Sequence, residues 1–177
     1  ITNNISIILD IFEKNGLIEK NGLIPILTKK GIIAKHVQEA NGLVMSEILE
    51  ILDESEDAIN LVSILSIFTD NGQSENEEIT LESLYNEPIY EQLISIDRIF
   101  NKYKDIEISN YMKSGYSYKQ SYDFCKIYRR WCLASNEQEC LQIINELEYL
   151  GTFTKSTLKI NNLALELIRT IDLLASD

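Results

Sequence analysis

The sequence is short of the residues on which most enzyme chemistry rests. It holds one histidine, His36, two prolines, seven glycines and three cysteines in 177 residues. A single imidazole leaves no Ser-His-Asp arrangement to build except around His36, which lies between Lys35 and Val37 on an expected helix. Cys125, Cys132 and Cys140 are odd in number, and none forms a CxxC pair. With so few ligands a zinc site is not expected, and the thiols read as reduced and mostly buried. The seven glycines form neither a GxxxxGK phosphate loop nor a GxGxxG turn, so the chain itself should hold no nucleotide. Acidic pairs such as Glu54 and Asp57 read as solvated turns. An active site within these residues is not expected.

Long apolar runs are missing too. No stretch approaches the ~18 residues of a membrane span, and the first segment lacks the pattern of a secretory leader. Alanine occurs six times against 28 isoleucines, a bias that fits an AT-rich genome: a microbe, a parasite or a large DNA virus. The chain opens on Ile1, which predicts a piece of a longer or processed polypeptide.

What the chain does have is enough apolar material for a core, at 45% hydrophobic, and a lopsided charge. Residues 1–97 carry 5 Lys/Arg and 18 Asp/Glu, a net of −13. Residues 98–177 carry 11 and 10, a net of +1. The total of −12 argues against general nucleic-acid binding, so any polyanion contact belongs in the C-terminal half.

Apolar spacing predicts a mainly α protein: a helical bundle with a small β-hairpin near its N-terminus. Ile5, Ile8, Leu9 and Phe12 share one face of a first helix, with Gly16 at its C-terminal cap. Asn21-Gly22 between two apolar runs predicts a two-residue hairpin turn over 17–27, with Pro25 on an edge. Thr28 is the expected N-cap of a helix over 29–40, where Gly31 and Ala34 allow close packing. Two more helices follow, then an exposed acidic loop at 71–80 and a helix over 89–103. Residues 105–115 fit neither period. Further helices are expected over 116–134, over 136–150 and from Thr154 onward. The last has an expected apolar side of Leu158, Leu163, Leu165, Ile168 and Ile171.

That last helix also carries Lys155, Lys159, Asn162, Glu166 and Arg169 at spacings of 4, 3, 4 and 3, which puts them on one face. A lysine can meet a phosphate, and an asparagine amide can bond a base edge. The plain alternative is a solvated face. The mixed aromatic and basic run 116–132 can stack bases, but Tyr118, Tyr122 and Trp131 fit core positions equally well. Arg129 and Arg130 within it are expected to face solvent.

Several ordered segments resemble one family. Leu27 to Leu49, with Gly31, Ala34 and Glu47, resembles the entry to the C-terminal helical domain, called DSHCT, of superkiller-type DExH-box RNA helicases. The stretch from Leu61 to Asp70 is similar to the family's next helix, Tyr128 to Cys132 to its Tyr/Trp-Cys helix, and the segment from Glu146 to Ile168 to its last block. The resemblance spans Leu17 to Ile171. It implies that 1–27 is the tail of a winged-helix domain and that 28–177 is the helical bundle. It implies a parent protein that unwinds RNA 3′-to-5′ with ATP and Mg from motifs outside this chain; the chain itself would be non-catalytic and hold no cofactor. The last helix would be the ratchet helix, with Lys155, Lys159 and Asn162 on single-stranded RNA and Arg129 and Arg130 as weaker phosphate contacts. Partners would be the RecA-like domains of the same parent and RNA-decay proteins, in the cytoplasm or nucleus (or in host cytoplasm or a virion, if viral). The chain departs from the family at Lys155 and Lys159, where Arg is frequent, at Asn162, where Glu is frequent, and at Leu133 and Ala134, where a Gly is usual. The alternative is an acidic helical module for protein–protein contact that touches no RNA.

Overall fold

The computed structural model describes residues 2–20, 22, 24–52, 56–69, 79–147 and 150–175. Among them are eight α-helices and one two-stranded antiparallel sheet near the N-terminus, as the sequence predicts. The chain forms two compact units from interleaved segments. The first takes 1–51, 99–118 and 164–177, and the second takes 52–98 and 119–163.

The first unit opens with α1 (Thr2–Lys14). Gly16, at φ +70°, ends the helix: its N–H reaches the Glu13 carbonyl, and the Leu17 N–H reaches that of Phe12. This is the double closure that a left-handed residue permits. Of the expected α1 face, Ile5 is exposed and Ile8, Leu9 and Phe12 are half-buried. Strands β1 (Ile18–Glu19) and β2 (Ile26–Leu27) pair as Ile18↔Leu27 and Glu19↔Ile26. That register leaves six residues between the strands. The two-residue turn expected at Asn21-Gly22 lies outside the described residues except for Gly22, which has a positive φ of +98°. Thr28 caps α2 (Lys29–His36), its Oγ1 accepting from the Gly31 N–H at 3.1 Å.

Gly31 is packed so closely that a Cβ there would lie 2.0 Å from the Leu17 carbonyl oxygen. Gly42 repeats the device against the carbonyl of Ala34, at 2.1 Å. This second approach requires the chain to reverse soon after α2, so the helix stops at His36 rather than continuing to residue 40. Asn41 then caps α3 (Gly42–Ile51) through its Oδ1. Val44, Met45 and Ile48 are fully buried, and so is most of Glu47.

In the second unit, Asp57 caps α4 (Ala58–Leu65), which tightens into a 3₁₀ turn at Ser66–Phe68. The expected loop at 71–80 lies outside the described residues except for its last two. They lead into a second 3₁₀ turn, Leu81–Leu84, which apolar spacing did not suggest. Helix α5 (Tyr90–Ser109) runs six residues beyond its expected end, and its C-terminal part belongs to the first unit. The helix expected over 116–134 is only α6 (Cys125–Leu133). Before it the chain is non-helical: Tyr118 bonds Glu107, Gln120 bonds Asp97, and the Ser121 N–H donates to Ile67. Tyr116, Tyr118, Gln120 and Tyr122 alternate with a period of two, which suits an extended chain. Helix α7 (Glu137–Asn145) is capped by Asn136.

Helix α8 (Leu150–Ala175) is continuous over 26 residues, ~39 Å at the α-helical rise. Its inward side corrects the expected one. Phe153, Ser156, Ile160, Leu163, Leu167 and Thr170 are buried, whereas Leu158, Leu165, Ile168 and Ile171 are exposed. Ser156 and Thr170 occupy core positions because they are small, and the Thr170 hydroxyl donates to the Glu166 carbonyl at 2.8 Å. A reading by hydropathy alone passes over both.

Candidate nucleic-acid interface

Helix α8 is fixed in the second unit by an aromatic cluster. Phe153 stacks on Tyr128 with ring centroids 5.0 Å apart and meets Trp131 and Phe124 edge-on at 5.7 and 6.0 Å. The Tyr128 hydroxyl pairs with Thr157 Oγ1 at 2.9 Å. Tyr128 and Phe124 are buried and Trp131 is half-buried, so this part of the aromatic run packs the second unit, whereas Tyr116 at its start is exposed. Tyr122 donates to Gln120 at 2.7 Å. Tyr118 donates to Glu107 at 2.7 Å; burial, then the carboxylate, pushes its phenol up to about 12.

With Phe153, Ile160 and Leu163 turned inward, Lys155 and Asn162 are exposed and Lys159 is half-buried. Among the described residues neither lysine makes an ion pair. Two ammonium groups one helical turn apart with an amide beyond them can contact a phosphate chain without reading its sequence. Arg129 and Arg130 are differently placed. Arg129 is half-buried and donates to the Asn60 side-chain oxygen. Arg130 is exposed, but its fork is filled by Glu146, at 2.6 and 2.8 Å, so a phosphate there would have to displace a carboxylate.

In the first unit Glu166 does not share the solvated stripe. Its Oε2 accepts from the backbone N–H groups of Gln38 and Glu39, each at 3.0 Å. Arg169 is exposed, and among the described residues it makes no ion pair. His36 is also exposed, in the last turn of α2.

A second polar cluster gave no sign in the sequence beyond the residue types. Glu47 Oε1 accepts from Lys102 at 2.6 Å and Tyr103 at 2.8 Å, and Lys30 stands 3.2 Å away while also pairing with Glu50. Burial pushes the Glu47 carboxyl up, but the bonds from Lys102 and Tyr103 outweigh it and hold the group below its usual value. Burial, reinforced by Glu47, raises the Tyr103 phenol. The cluster ties α2, α3 and α5 together within the first unit.

The thiols depart from the expected buried set. Cys125 is buried, and burial pushes it up to about 11; Cys140 is half-buried and Cys132 is exposed. Among the described residues no group of His, Cys, Asp or Glu is placed to hold a metal ion, and no helix is long and apolar enough to cross a membrane. Comparison with known protein families, with curated proteins and with solved structures returns no match.

Proposed function

We propose that this chain is the RNA-guiding C-terminal domain of a superkiller-type DExH-box helicase and is non-catalytic by itself. The ordered resemblance along the sequence supports that reading. The observation that carries it is the side of α8 bearing Lys155, Lys159 and Asn162, which is turned away from the aromatic cluster and leaves both lysines without an ion pair among the described residues. Lysines contribute point charges, so the contact would be sequence-independent and salt-sensitive. ATP and Mg would act in motor domains elsewhere in the parent, and an intracellular site of RNA processing or decay goes with this role.

The test uses a parent chain that includes the motor domains. Lys155→Ala/Lys159→Ala/Asn162→Ala should abolish strand displacement while basal ATPase survives. Unchanged displacement, or full activity after Lys155→Glu/Lys159→Glu, would sink the proposal.

A second reading, a protein-docking module without RNA contact, is favoured by Leu165 and Ile168, which are exposed on the part of α8 that belongs to the first unit. It predicts that Leu165→Asp/Ile168→Asp, or reversal of the acidic surface of residues 1–97, removes a partner complex while RNA handling is unaffected.

A further inference from the structure

The two amides that receive Glu166 point to a second site, wholly within the first unit. They belong to consecutive residues, Gln38 and Glu39, and both aim at one oxygen. Two successive backbone N–H groups that converge on one oxygen can donate to a phosphate oxygen as they do to a carboxylate. They follow α2, whose last turn carries Lys35 and His36. A shallow cleft of about 310 Å³ is lined there by His36, Gln38, Glu166, Arg169, Thr170 and Leu173. The cleft therefore gathers two amides, one imidazole and one guanidinium. Glu166 answers the amides, and the Arg169 fork has no carboxylate partner among the described residues.

We infer that this cleft is a phosphate-binding site whose amides are occupied by Glu166 until a phosphate displaces it. The Glu166 side chain swings into solvent, a phosphate oxygen takes its place on Gln38 and Glu39, and Arg169 and His36 hold the remaining oxygens. A phosphate suits the site better than the carboxylate does, because its additional oxygens can meet the guanidinium fork as well as the amides. Glu166 then acts as a competitor that keeps free anions out at low concentration. Choosing an RNA backbone as the source of the phosphate rests on the function proposed above; the oxyanion site itself does not.

The experiment follows the backbone amide signals of Gln38 and Glu39 in the 177-residue chain during titration with inorganic phosphate and, separately, with a short oligouridylate. Glu166→Ala should tighten binding about tenfold and Arg169→Ala should weaken it about tenfold, the worth of one charge-assisted contact. Arg169→Ala and His36→Ala change exposed side chains, so they carry the test should Glu166→Ala fail to fold. Movement with oligouridylate assigns the phosphate to a strand, and movement with inorganic phosphate alone assigns it to the free ion; either result keeps the site. No movement with either probe in wild type and Glu166→Ala overturns the site, as does unchanged affinity in Arg169→Ala. Neither outcome depends on Lys155→Ala/Lys159→Ala, so the α8 reading can fail while this one stands.

Discussion

Tyr111 shows what a single residue can cost. It follows α5 with φ +53°, where its N–H closes on Ile108 and the Met112 N–H closes on Glu107. That is the closure Gly16 makes after α1, executed by a residue whose Cβ crowds the left-handed conformation. Tyr111 is 98% exposed, so its ring gives back little packing. Tyr111→Gly should therefore raise stability by about 0.5 kcal/mol, with the unfolded-state entropy of glycine already subtracted. Urea unfolding would measure it, and a loss of stability would mean that the ring makes a contact worth more than the strain. Gly16 was legible in the sequence because glycine announces this geometry. Tyr111 was not, since nothing about a tyrosine signals a positive φ. The same holds for the amides of Gln38 and Glu39: backbone donors leave no trace in residue type, so the Glu166 contact could not be read from spacing.

Among the elements, periodicity located the helices but misjudged their ends and some of their faces. Helices α3 and α4 formed where their apolar spacing put them, and Thr28 capped α2 as expected. Helix α8 formed too, but with Ser156 and Thr170 inside and Leu165 and Ile168 outside, because side-chain volume rather than hydropathy decided those positions. The junction of α2, α3 and α5 is held by Glu47. Its carboxyl titrates below the usual value in the folded state, so ionised Glu47 stabilises the fold above the unfolded value of ~4.3, and that stability is lost as the pH falls through the lower folded value. Glu47→Gln should cost about 2 kcal/mol at neutral pH, since Lys30, Lys102 and the Tyr103 hydroxyl lose a buried anion. The gap between wild type and Glu47→Gln should close in urea unfolding at acid pH. A gap that persists there would mean that shape, not charge, holds the junction.

Across the whole molecule, the excess negative charge of residues 1–97 sets two salt effects against each other. Self-repulsion in a chain of net charge −12 is screened by salt, so raising NaCl from ~10 mM to ~150 mM should raise the melting temperature. On the function proposed above, RNA affinity should fall over the same range, with a slope of about 0.7 per phosphate contact on a logarithmic plot. Parallel melting and binding series would check both signs, and a melting temperature that falls with salt would show ion pairs such as those of Glu47 outweighing the repulsion. The interleaving of segments has a different consequence, one that concerns synthesis. The unit begun by residues 1–51 takes in residues 164–177. On the ribosome it waits for the last turns of α8, which bring the carboxylate that satisfies Gln38 and Glu39. Trimming the chain after residue 163 would therefore strip a contact from its opening third, and a nascent chain paused there would leave those two amides to water until Glu166 emerges.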